Sequence, residues 1–119
     1  MHVTIVLDCS DPERLAHFWT SAIGYRREAY KPPYLSLLPP KQDGSPELIL
    51  QRVAEPKAGK NRMHIDLHTI DVDAECDRLM ALGAIRVGDE IVEGGFRWYV
   101  LADPEGNEFC VIGRASEGA

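Results

Sequence analysis

The stretch "KNRMHIDLHT", residues 60–69, places His64, Asp66 and His68 at alternate positions. In an extended strand, alternate side chains share a face, so an imidazole and a carboxylate two residues apart point the same way. Such a stretch can mark a metal site, a ligand pocket with a group that moves a proton near neutral pH, or only a strand that carries polar residues. His64 is therefore a candidate to line a ligand pocket; on the plainer account it is a strand histidine satisfied by a neighbouring group. For Asp66, a structural partner such as Arg52, Arg62 or a hydroxyl competes with a general-base role, because an unpartnered buried carboxylate is costly. These two residues are the candidates for catalysis, and His68 reads as structural.

The remaining chemistry is more dispersed. Cys9, Cys76 and Cys110 are odd in number, far apart and without a Cys-x-x-Cys pair, which suits reduced thiols in a cytoplasmic protein. Cys110 reads as a small buried hydrophobe before it reads as a nucleophile. Gln51 shares the face of Ile49, and a neutral amide there suits a ligand contact or a hydrogen bond to a neighbouring strand. Trp98 and Tyr99 alternate, so one of them faces inward, where it can close over an apolar or aromatic ligand. Asn61 and Arg62 are expected to tie the segment before the His64 strand to the other half or to a second subunit.

The elements that must position these residues are written twice. "VTIVLDC" (residues 3–9) is a β-branched apolar run and reads as a strand. Asp11 can cap a helix with Pro12 in its first position, Leu15, Phe18, Trp19 and Ile23 form its apolar stripe, and Gly24 suits its end. A strand near Tyr25–Glu28 follows, and then "YLSLL" (34–38) and "ELILQRV" (47–53) form a hairpin. The second half repeats the order. "MHIDLHT" is a strand and Asp71 a cap; Val72, Cys76, Leu79 and Met80 make a stripe that Gly83 ends. "AIRV" (84–87), "RWYVL" (97–101) and "EFCVI" (108–112) are strands, the last two joined by the turn formers Asp103 to Asn107. Asp11 recurs at Asp71 after 60 positions, Gly24 at Gly83 after 59, and Glu47 at Glu108 after 61. Near-constant offsets with matching punctuation indicate a duplicated β-α-β-β-β unit. The first module spans about 1–54, the linker 54–62 and the second module about 63–113.

The bulk numbers frame this reading. A chain of 119 residues fits a single domain with a real core. Its net charge of -6, from 13 basic and 19 acidic side chains, speaks against a nucleic-acid partner. No apolar run approaches the ~20 residues of a membrane helix, so no membrane association is expected. The opening residues lack a charged n-region and soon turn acidic, so no signal peptide is expected, which fits a cytoplasmic location.

With "DCSDPERLAHFW" opening one half, "NRMHIDL" the other, and "LADPEGNEFCVI" closing it, the whole chain resembles the vicinal oxygen chelate superfamily. That superfamily includes glyoxalase I, extradiol dioxygenases, and fosfomycin and bleomycin resistance proteins. The resemblance implies an α+β fold of two tandem βαβββ modules forming a half-open, eight-stranded mixed barrel, and a homodimer. In metal-dependent members, ligands lie seven residues before each helix-capping Asp and four after the turn Gly. In this sequence those places, with their first-half counterparts, are Thr4, Ile49, His64 and Cys110. Only His64 carries a usual ligand; His2 shares the Thr4 face and is a reserve. The implied site is a pocket lined by Thr4, Ile49, Gln51, His64, Asp66, Trp98 and Cys110, with no metal and no other cofactor. It would hold a small, partly apolar molecule, in the manner of resistance proteins that bind their drug without chemistry. The alternative is a metal-dependent lyase, isomerase or dioxygenase of the glyoxalase kind, with a divalent ion.

Overall fold

Each half of the chain opens on a β-branched run whose side chains alternate, and that run pairs in parallel with the last strand of the same half. These relations come from a computed structural model that describes residues 3–41 and 44–115. The chain divides into two compact units between Ala58 and Gly59, within the expected linker.

In the first unit, strand β1 (Thr4–Cys9) leads to helix α1 (Pro12–Ile23), then β2 (Arg26–Arg27), β3 (Tyr34–Leu38) and β4 (Glu47–Arg52). The sheet order is β1-β4-β3-β2, with β1 and β4 parallel. The Asp11 carboxylate accepts from the Arg14 N–H at 3.2 Å, and Gly24 ends the helix at a left-handed φ of 72°. Between those stops, Leu15, Ala16, Phe18 and Trp19 are buried on the helix and Leu35, Leu37, Leu48 and Leu50 on the sheet. α1 packs on β3 and β4, so this apolar layer is the core of the unit.

The second unit repeats the plan with β5 (Ile65–His68), α2 (Val72–Ala81), β6 (Ile85–Glu93), β7 (Phe96–Ala102) and β8 (Glu108–Arg114) in the order β5-β8-β7-β6. Asp71 caps α2 through the Ala74 N–H at 3.1 Å, and Val72, Cys76 and Leu79 bury its inner stripe. They meet Leu101, Phe109 and Val111, all almost fully buried, on β7 and β8. Each unit is thus the βαβββ module that the repeated punctuation predicts.

Most strands differ by a residue or two from the sequence reading, and two of the differences bear on the site. β5 begins at Ile65 rather than Met63, so His64 stands just ahead of the ladder. β6 runs from Ile85 to Glu93, well beyond "AIRV", because its register on β7 shifts between Val87 and Ile91. Gly88, at a positive φ of 84°, lies inside that bulge.

The turn between β7 and β8 is held from within. Asp103 is buried, and its Oδ1 accepts the backbone N–H of Glu105 at 2.9 Å and of Asn107 at 3.0 Å, while the Asn107 amide donates to both carboxylate oxygens. This fixes where β8 starts and therefore which of its residues face each way.

At the other end of β8, Gly113 makes a close approach that no larger residue permits. A Cβ there would stand 2.6 Å from the Thr69 carbonyl oxygen and 2.8 Å from Val72 Cγ2. Gly113→Ala must push β8 off the start of α2, and overpacking of this kind costs about 2 kcal/mol. The expected outcome is a lower urea midpoint with an unchanged slope.

Candidate functional site

Parallel pairing of β5 with β8 sets Asp66 opposite Cys110, and antiparallel pairing of β8 with β7 sets Cys110 opposite Val100. One step along, His68, Ile112, Trp98 and Ile91 form the next row. Residues in register across a sheet share a face, so this side of the second unit grades from polar at β5 to apolar at β7 and β6. A pocket of about 330 Å³ opens on it. Ile91, Trp98, Val100 and Ile112 form its apolar wall, and Lys60, His64, Asp66, Glu108 and Cys110 its polar end.

At the polar end, His64 Nδ1 lies 2.9 Å from Asp66 Oδ1. A carboxylate only accepts, so the hydrogen of this contact is on Nδ1, and Nε2 is the acceptor of the neutral imidazole. The pair is half-exposed, with side-chain accessibilities of 47% and 39%. At that exposure it is worth under ~1 kcal/mol to stability. Its role is therefore to orient the imidazole rather than to hold the fold.

Cys110 is buried beneath this pair, with Sγ 3.9 Å from the same His64 Nδ1. Burial pushes its thiol from an ordinary value near 9.0 up to about 11; the Asp66 carboxylate adds to this through charge and a hydrogen bond, and Lys60 acts against it. A thiol–imidazole–carboxylate relay needs the thiol and the carboxylate on different ring nitrogens. Here both contacts fall on Nδ1, so Cys110 is not an activated nucleophile. Behind it, the Glu108 carboxylate accepts the Asn61 N–H at 2.9 Å, which anchors the linker end beside the pocket.

Four of the residues singled out in the sequence, His64, Asp66, Trp98 and Cys110, come together here. Thr4, Ile49 and Gln51 lie in the first unit. They share one face of the β1–β4 ladder, where Thr4 stands opposite Glu47, Ile49 opposite Val6 and Gln51 opposite Asp8, away from the leucines that pack under α1. The partner of Asp66 is His64, not Arg52 or Arg62, because the two side chains leave the strand on one side two residues apart. The tie expected of Asn61 is made by its backbone, within its own unit. Of the two candidate aromatics, Trp98 faces the pocket, while Tyr99 lies on the opposite face with the Arg86 guanidinium 4.2 Å from its ring centroid. His2 lies outside the described residues.

Sequence reasoning missed Lys60, Ile91, Val100, Glu108 and Ile112. Val100 and Ile112 follow Trp98 and Cys110 by two, and Glu108 precedes Cys110 by two, so alternation would have found all three. Ile91 was hidden by the bulge in β6, and Lys60 sits in an aperiodic linker.

The double βαβββ plan with a sheet-face pocket defines a class, the glyoxalase-like proteins. Residues 4–112 match the family model of the glyoxalase-like domain. The chain belongs to that family, and with it to the vicinal oxygen chelate superfamily. Among solved structures, it is similar to a glyoxalase/bleomycin resistance protein/dioxygenase family enzyme from Burkholderia phytofirmans PsJN, at 16% identity and a TM-score of 0.76, covering 94% of this chain and 97% of that one. It is also similar to the fosfomycin resistance protein FosX from Mesorhizobium loti (16% identity, TM-score 0.71, 97% and 92% covered). A third is the hypothetical protein SA1046 from S. aureus (20% identity, TM-score 0.72, 94% and 92% covered). At such identities the likeness is one of fold. No curated protein matches the chain. No helix among the described residues is long and apolar enough to cross a membrane.

The metal set that the superfamily implies does not fit. Of its four places, Ile49 offers no donor, Thr4 a hydroxyl only, and Cys110 a buried thiol in place of a carboxylate. A catalytic divalent ion takes about three good protein donors.

The raised thiol has two consequences. A group whose folded pKa lies above its unfolded value stabilises the fold fully below the unfolded value, and that contribution falls as pH rises toward the folded one. Here the loss runs over pH 9.0 to about 11. At pH 8, native Cys110 is expected to react with iodoacetamide about two orders of magnitude more slowly than an exposed thiol, read by mass spectrometry. A rate equal to that of a free thiol would contradict the burial described here.

Proposed function

We propose that this protein binds a small, partly apolar molecule in the pocket of its second unit, and that binding needs no divalent metal. The observation behind this reading is the division of one face into an apolar wall and a polar end. Trp98, Val100, Ile112 and Ile91 offer contact area to a ring or branched chain, and an indole supplies much of it at little entropic cost. His64 can accept through Nε2, and the Lys60 ammonium can pair with an anionic group.

An enzyme of the glyoxalase kind is the alternative that the superfamily suggests. It would route its chemistry through an ion held at places that here carry Thr4, Ile49 and Cys110, and the present side chains do not favour it.

Anilinonaphthalene sulfonate, which joins fused rings to one anionic group, is a direct probe of such a pocket. Chelator-treated protein is expected to bind it with one saturable site and a rise in dye fluorescence. Trp98→Ala should weaken that binding about tenfold, the worth of a large apolar contact. Ile112→Asp should do the same by charging the wall. Binding that is absent in the metal-free protein, or indifferent to both substitutions, contradicts the proposal.

A further inference from the structure

Three donor atoms of different chemistry converge at the polar end of the pocket. The ligand atoms of His64, Asp66 and Cys110 all lie within 4.8 Å of one another, and among the described residues they are the group of His, Cys, Asp and Glu side chains that does so. Two separations are set by His64 Nδ1, which stands 2.9 Å from Asp66 Oδ1 and 3.9 Å from Cys110 Sγ. Tetrahedral zinc, with bonds of about 2.0 Å to nitrogen and oxygen and 2.3 Å to sulfur, holds such ligands roughly 3.3–3.6 Å apart. The observed separations bracket that range, so small side-chain rotations suffice.

The scaffold behind the donors favours the same conclusion. Asp66 and Cys110 are locked in register by the β5–β8 ladder, and His64 stands two residues before Asp66 on the same face. The thiol is buried while the imidazole and carboxylate are half-exposed, so one donor forms a floor and the other two an accessible rim. These donors also lie wholly within one unit and include Asp66, which stands outside the set that the superfamily pattern implies.

The structure assigns to His64, Asp66 and Cys110 a binding site for a borderline-soft cation, zinc or its cobalt(II) surrogate. Thiolate and imidazole select such ions over magnesium or calcium, which take oxygen donors. The hydrogen shared by His64 Nδ1 and Asp66 Oδ1 occupies the place where a cation would sit. Three protein donors leave at least one coordination position for water or for a ligand in the pocket. This goes beyond the proposed ligand binding and does not depend on it, since that reading is tested on metal-free protein.

The experiment titrates tag-free, chelator-treated protein with cobalt(II) and follows the thiolate-to-cobalt charge-transfer band in the near ultraviolet. One equivalent of cobalt is expected to saturate the band, zinc to displace it, and magnesium to leave it unchanged. Cys110→Ser should abolish the band. His64→Gln and Asp66→Asn should each weaken cobalt binding at least about tenfold, while thermal melts report that the variants are folded. Cys76→Ser, which alters a thiol on α2, should keep the band. Cobalt binding without the charge-transfer band overturns the assignment. So does a band that survives Cys110→Ser, or zinc and magnesium bound alike. Should Cys110→Ser fail to fold, the same band in folded His64→Gln and Asp66→Asn decides the matter: unchanged affinity in both refutes the site.

Discussion

The parallel pairing of β5 with β8 is the constraint on which the second unit's chemistry depends. A two-residue period means that one step of slippage would send every side chain of β5 to the other face. Asp66 would then leave Cys110 and enter the layer under α2, where Phe109 and Val111 are almost fully buried. The cost of a carboxylate in that layer, several kcal/mol, makes the slipped register inaccessible. Asp103 fixes the point at which β8 begins, and Gly113 lets its far end approach Thr69 and Val72. The floor of the pocket is thus set by a turn at one end and a missing side chain at the other.

The opposite face of the same sheet shows why the pocket face is free to carry function. There Arg97 bridges Asp73 on α2 at 2.8 Å and also reaches Glu90 on β6, while Arg86 lies over Tyr99. These contacts, with Leu101, Phe109 and Val111, bind helix to sheet and hold the bulged edge strand in place. Packing is concentrated on that side. The residues of the pocket face contribute little to it, so their identity can answer to a ligand instead.

Much of this was legible in the residues because its causes are local. Caps at Asp11 and Asp71, a left-handed stop at Gly24 and the Asp103–Asn107 turn each have a mechanism spanning a few positions, and each stands where expected. Alternation put His64 and Asp66 on one face and one of the two aromatics inward, whereas Cys110 came from the family resemblance; the structure places these residues around one pocket. What was not legible depended on pairing between strands. The continuation of β6 follows from a register shift with β7, and its polar, glycine-containing stretch resembles a loop when read alone. The partner of Asp66 is two residues away, yet choosing His64 over an arginine needs the direction of both side chains. Lys60 reaches the pocket because the Asn61 N–H is fastened to Glu108, a contact across 47 positions.

Comparing the two units sharpens what duplication has left open. Their frames coincide, since both sheets place the first strand beside the last and both helices cap on an aspartate. The register Val6–Ile49 and Asp8–Gln51 in the first corresponds to Asp66–Cys110 and His68–Ile112 in the second. An apolar pair in one unit therefore stands where a carboxylate and a thiol stand in the other. A frame held by caps, turns and leucines tolerates that exchange because the face involved lies away from the helix. A thiol, small and neutral while protonated, suits the boundary between Asp66 and Val100 in a way that a carboxylate would not. It can pack against the apolar wall and still offer sulfur to a cation. Glutamate at position 110 would place a second negative charge beside Asp66 and require a cation to offset it. With cysteine there, no second carboxylate needs offsetting beside Asp66, and the proposed metal site is an addition to the pocket face rather than a requirement of its fold.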